Sequence, residues 1–137
     1  AGDDEALTEA EKVGLNVYLK AGCGACHNGA YLGGTAFQKA GLVAAWPNQA
    51  DEGRAKVTQR PEDGMVFKVA SLRNIEKTAP YFHDGAVEDL GTAVQWMSKY
   101  QLGRELTPDE INSVITYLKA LTGEIPREYI ARPPATN

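Results

Sequence analysis

Cys23-Gly24-Ala25-Cys26-His27 holds both cysteines of the chain and one of its two histidines. Its Cys-x-x-Cys-His spacing is the pattern by which a c-type haem is attached. The reason is geometric. Two thiols separated by two small residues can each add to one vinyl group of the same haem, and the adjacent histidine then points its imidazole at the iron. Gly24 and Ala25 are expected to leave room for the macrocycle close to the backbone. Other uses of these residues fit less well. A thioredoxin-like pair needs a strand–helix setting, whereas here the motif follows a helix. A zinc site needs four ligands; Cys23, Cys26, His27 and His83 are the only cysteines and histidines, and adjacent Cys26 and His27 would chelate one ion awkwardly. A plain disulfide would leave His27 without a role.

Working outward, the helix before the motif is marked by Thr8 and Glu11, which have capping-box spacing, with Leu7 placed as a staple. Val13, Val17 and Tyr18 supply an apolar stripe, and Ala21-Gly22 is a suitable stop. At the other end, Thr107, Pro108 and Glu110 give a cap, a first-position proline and a reciprocating carboxylate. Ile111, Val114, Ile115, Leu118 and Leu121 follow at helical spacing, with Gly123 as the expected stop. A third helix is expected over about Leu90 to Tyr100, where Val94 and Met97 share a face. Residues 28–66 are glycine-rich and aperiodic, and a loop of that length in a compact domain usually wraps something. No strand of convincing length is visible. The expected architecture is therefore all-α: a cytochrome c fold with N- and C-terminal helices packed together and a long irregular loop around one haem. A single domain over 1–137 is expected, with a flexible 1–6 and an extended tail over 124–137, where Pro126, Pro133 and Pro134 oppose a helix.

The sixth position on the iron has few candidates, namely Met65, Met97, His83 and, unusually, a lysine. In small c-type cytochromes the ligand tends to precede the last helix, and Met97 lies nearer Thr107 than Met65 does. Position therefore favours Met97, with His27 and Met97 as the metal ligands. The bland alternative makes Met97 the apolar face of its helix. Met65 is expected in packing or at the surface. His83, in Pro80-Tyr81-Phe82-His83-Asp84-Gly85, is expected to be a structural histidine near a haem edge. Arg73 and Asn74 are candidate donors to the haem carboxylates, because guanidinium meets carboxylate in bidentate fashion; Trp46 offers a further N–H.

Fourteen basic against eighteen acidic residues leave a charge of −4, which argues against nucleic acid and anionic lipid and suits a redox partner with a basic patch. No apolar run is long enough to span a bilayer. Ala1-Gly2-Asp3-Asp4-Glu5 reads as a mature end from which a signal peptide has been removed, and covalent haem attachment implies export to the periplasm or a similar compartment.

Several stretches resemble the C-terminal, high-potential haem domain of the bacterial dihaem cytochrome c peroxidases and their methylamine-utilisation relatives. They are Gly22-Cys23-Gly24-Ala25-Cys26-His27-Asn28-Gly29, the run from Phe67 to Gly85 with its Leu72-Arg73-Asn74 and Ala79-Pro80-Tyr81-Phe82-His83-Asp84-Gly85, then Gln101-Leu102-Gly103 and Leu121-Thr122-Gly123-Glu124-Ile125-Pro126. The resemblance runs from about Leu7 to Pro134. It implies His27 and Met97 as axial ligands, Arg73 near the haem, and a calcium ion between domains held in part by backbone at Thr78 and Pro80. Those peroxidases carry a second Cys-x-x-Cys-His in another domain, where peroxide is reduced; these 137 residues contain two cysteines in all. The expected function is thus a stand-alone monohaem one-electron carrier, more a relay than an enzyme. The alternative is a peroxide-reducing or gas-binding haem protein, should Met97 leave the iron, with His83 or Glu88 assisting proton transfer.

Overall fold

The computed structural model describes residues 5–124 together with Asp3 and Ile130. The expected tail over 124–137 therefore lies largely outside the described residues, as do residues 1, 2 and 4 of the expected flexible 1–6.

Helix α1 (Glu9–Ala21) begins where expected. The Thr8 hydroxyl accepts from the Glu11 N–H at 3.3 Å, and the Glu11 carboxylate accepts from the Thr8 N–H at 2.7 Å. Gly22 ends it with φ 102°, a left-handed conformation that glycine adopts without a Cβ penalty. The buried face is Gly14, Tyr18 and Ala21. Val13, expected on the apolar stripe, is instead 54% exposed. Helix α4 (Pro108–Lys119) carries the second capping box, with Thr107 and Glu110 bonded reciprocally.

The two helices meet at Gly14, where a Cβ would overlap the Ser113 carbonyl oxygen and come within 2.9 Å of the Tyr117 Cβ. That close approach lets Tyr18 pack on Tyr117, with ring centroids 5.2 Å apart. Tyr18, Val114, Tyr117 and Leu118 form the main core, and Leu7 packs against it. Gly123 is not the stop: α4 ends at Lys119, and the Gly123 N–H instead donates to the Asn74 side chain at 2.8 Å. The tertiary contact, not local propensity, decides how the chain leaves the helix.

Helix α3 (Leu90–Trp96) starts at Asp89, whose carboxylate accepts from the Thr92 N–H at 2.8 Å. It continues without a break into a π turn over Met97–Gln101, so the expected helix is present but changes pitch at Met97. Tyr81, Val87 and Ala93 make a second small core beneath it.

The all-α expectation needs one correction. Strands β1 (Phe37–Lys39) and β2 (Val66–Lys68) pair antiparallel, with Gln38 opposite Phe67, and the chain is mostly helical with this small sheet added. Each strand is three residues long, too short for any alternation to register in sequence. Between them lies a short helix, α2 (Ala55–Thr58). The pairing closes the long loop on itself and stands it against the rest of the molecule.

Candidate haem-binding site

After Gly22, Cys23–Ala25 form one turn of 3₁₀ helix, and the His27 N–H bonds back to the Cys23 carbonyl at 3.0 Å. This coil puts Cys23, Cys26 and His27 on the wall of a single cavity of about 510 Å³, within the roughly 300–1,000 Å³ usual for ligand sites. The two cysteines are not joined to each other by a disulfide. Asn28 secures the turn from below, donating to the carbonyls of Gly24 and Ala25. Gly24 and Ala25 are not on the cavity wall. A Cβ at Gly24 would sit 3.3 Å from Leu19, so packing on α1 also favours a small residue there.

The His27 ring is held from outside the motif. Its Nδ1 lies 3.0 Å from the Ala70 carbonyl oxygen. A carbonyl can only accept, so Nδ1 carries the proton and Nε2 keeps its lone pair, the form in which imidazole binds a metal. Burial pushes the His27 pKa below its ordinary value, partly opposed by the Ala70 contact. The Tyr18 hydroxyl donates to the His27 carbonyl at 2.6 Å, tying the motif to the helical core. Behind the ring, residues 30–34 are laced to 69–73. Ser71 Oγ donates to Tyr31 O at 2.6 Å, the Gly34 N–H to Val69 O at 2.8 Å, and Arg73 Nε to Ala30 O at 2.8 Å.

Met97, first residue of the π turn, lines the same cavity. A π turn widens the helical ladder by one residue and often marks a functional position. Gln101 closes the turn and clamps the long loop. Its Oε1 accepts from the N–H groups of Gly41 and Leu42, and its Nε2 donates to Lys39 O at 2.8 Å. The Tyr100 carbonyl accepts from Val43 and Ala44. The π segment and the loop over 39–44 are therefore one unit.

The other sequence candidates divide. Met65 lines a different, open cleft with Gln49, Glu52 and Arg60. His83 does reach the cavity wall but is exposed there, its ring stacked on Phe67 at 3.9 Å. Arg73 is not among the lining residues; its Nε is committed to Ala30. Trp46, the further N–H candidate, is 2% exposed and lines the cavity, and its indole nitrogen has no hydrogen-bond partner among the described residues. Gln101 acts through partners remote in sequence, so its clamping role left no local signal.

The donor set fits a haem: two thiols, an imidazole with its Nε2 free, a thioether and an apolar wall. Among the described residues there is no cluster of three or more His, Cys, Asp or Glu that would instead hold a bare metal ion. Thr78 and Pro80 lie on the cavity wall.

No protein-family model matches the chain. Cytochrome c551 peroxidase of Pseudomonas aeruginosa is 44% identical over 98% of this chain and 40% of its own length. That of Nitrosomonas europaea is 42% identical over 99% of this chain and 41% of its own length. A solved MauG-like protein associated with microbial copper homeostasis has 30% identity and a TM-score of 0.72, covering 93% of this chain and 50% of that one. The chain thus spans about 40% of the length of the curated relatives named. It is a homologue of the bacterial dihaem cytochrome c peroxidases, matching them over a stretch like their C-terminal haem domain.

Proposed function

We propose that the chain is a c-type cytochrome domain that relays single electrons, with one haem held covalently by Cys23 and Cys26 and ligated by His27 and Met97. The observation that carries this reading is that these four residues, from the end of α1 and from the π turn, line one apolar cavity. When bound, the haem supplies a one-electron ferric/ferrous couple.

The chain's own residues set the conditions for that couple. Ala70 fixes the His27 tautomer and orientation, so that Nε2 is presented as a donor. Met97 offers a thioether, which favours the ferrous state and raises the potential. Trp46, Phe67, Tyr81 and Phe82 line the cavity, and apolar surroundings around the haem would raise it further. With imidazole and thioether both engaged, no position is open to a substrate, and transfer is outer-sphere. Arg73 supports the site by holding the turn at Ala30 behind His27. The charge of −4 suits a redox partner with a basic patch, and covalent haem attachment would call for export to the periplasm or a comparable compartment. Peroxide reduction, as in the whole relatives, would need a site beyond these residues.

The test is the absorption spectrum of haem-loaded protein beside Met97→Ala. The wild type should be low-spin, with the weak long-wavelength ferric band of methionine ligation. The variant should lose that band, turn high-spin and fall in potential. A high-spin wild type that reacts rapidly with peroxide would replace the relay with the peroxide-reducing reading. The same loss on Met65→Ala instead would move the ligand.

A further inference from the structure

The net charge of −4 does not describe the walls of the cavity. Apart from Thr78 to His83, the residues that line it come from the stretches 12–50, 64–75 and 90–104. Those stretches hold seven Lys and Arg and no Asp or Glu. The carboxylates that make the chain acidic lie in other segments. A partner that approaches the cavity meets the local field rather than the sum over the chain.

Lys39 of β1 and Lys68 of β2 bring that field to the ribbon, which forms one wall of the cavity through Gln38, Lys39, Phe67 and Lys68. Alternation along a strand puts Phe37 and Lys39 on one face, and Lys68, paired with Phe37, joins them. This is the outer face. All three residues are exposed, Phe37 by 58%, whereas Gln38 and Phe67 on the other face are partly buried and Phe67 stacks on His83. The Arg54 guanidinium lies over the Phe37 ring, 5.3 Å from its centroid, and its Nε is 3.5 Å from Asp63. Neither Lys39 nor Lys68 has an ion-pair partner among the described residues. An apolar centre bordered by uncompensated charge is the make-up of a contact surface. Resting on the relay reading above, we infer that the outer face of the β1–β2 ribbon docks a redox protein carrying an acidic patch, with Phe37 at the centre and Lys39, Lys68 and Arg54 around it. The sign is opposite to the one that the net charge suggests. The ribbon alone separates this face from the cavity, so a partner seated there is close to the cofactor site.

The probe is plastocyanin, a small copper protein with an acidic patch. Ferrous haem-loaded protein passes one electron to its copper(II), leaving ferric iron and copper(I), and the rate is followed against ionic strength. For the wild type it should fall by about tenfold from low to high salt, as for attraction between opposite charges. Lys39→Gln with Lys68→Gln should lower the low-salt rate by about tenfold and flatten the dependence. Phe37→Ser should slow transfer at every salt concentration. Independently of transfer, ¹⁵N NMR of the ferrous wild type titrated with copper(I) plastocyanin should move the amide signals of β1 and β2 before those of α4. This titration and the wild-type salt dependence decide the matter should a variant fail to fold. A rate that rises with salt, or shifts that spare the ribbon, overturns the docking face and leaves the relay reading intact. So does a double variant whose potential moves while its salt dependence stays, since the lysines would then serve the haem carboxylates. A protein without covalent haem, or one inert toward plastocyanin and a basic mitochondrial cytochrome c alike, overturns both.

Discussion

The imidazole Nδ1 of His27 and the carbonyl oxygen of Ala70 stand 3.0 Å apart although 43 positions separate them in the chain. Between α1 and the segment over 69–73, this contact joins the attachment motif to the far wall of the cavity. It also decides which ring nitrogen is free.

Gly33 makes that contact possible. With φ +125°, it lies so close that a Cβ would overlap the Ala70 carbonyl oxygen and sit 3.3 Å from His27 Nδ1. Gly33→Ala combines steric overlap with an unfavourable backbone conformation and should destabilise the protein by about 2–4 kcal/mol. The His27 ring should lose its fixed orientation. Denaturant unfolding should show the first effect, and a broadened or mixed-spin haem spectrum the second.

Gly14→Ala would be mildly favourable in an isolated helix, by up to about 1 kcal/mol. In this protein the new methyl meets the Ser113 carbonyl and Tyr117. Overpacking of this kind costs about 1–3 kcal/mol, and α1 and α4 must part to relieve it. Thermal unfolding should therefore show a net loss of stability and no gain.

Gln101→Leu preserves bulk and removes three hydrogen bonds to the loop over 39–42. Because Lys39 and Leu42 are exposed, water replaces part of the loss, and the cost should be about 1–2 kcal/mol. Hydrogen exchange should rise at Gly41 and Leu42 ahead of the rest of the chain. Equal protection in wild type and variant would mean that the clamp contributes nothing.

Stability should fall on the alkaline side of neutrality. Burial raises the Tyr18 phenol well above 10.0. The folded chain therefore keeps a proton that the unfolded chain gives up, and stability declines as pH rises past 10.0. Tyr18→Phe should flatten this alkaline limb and cost about 1 kcal/mol at neutral pH through the bond lost to the His27 carbonyl. Unfolding midpoints measured across pH check the limb.

Local chemistry in the sequence was enough to place the helices. Thr8 with Glu11 and Thr107 with Glu110 act through neighbours three residues away, and Gly22 ends α1 by its own backbone preference. The attachment motif is equally local. What depended on distant partners was not readable. Phe37–Lys39 and Val66–Lys68 are strands only because each finds the other. The exit from α4 is set by Asn74, and Val13 turns outward because Gly14 takes the close contact with α4. Met97, expected from its place before the last helix, reaches the cavity wall, while Arg73 is drawn to Ala30. Trp46 was visible in sequence as an N–H donor in the long loop, but the aromatic side chains around it were not.

The widened turn over Met97–Gln101 carries two duties at once. Its first residue, Met97, lines the cavity, and at its last an amide grips the loop. Because a single turn of backbone joins them, neither end can shift without tugging on the other. Deleting one residue there would restore ordinary helical pitch and yet swing the sulfur and the amide onto different bearings. The irregularity is thus a gauge block, setting the spacing between ligand and loop that a regular coil would miss.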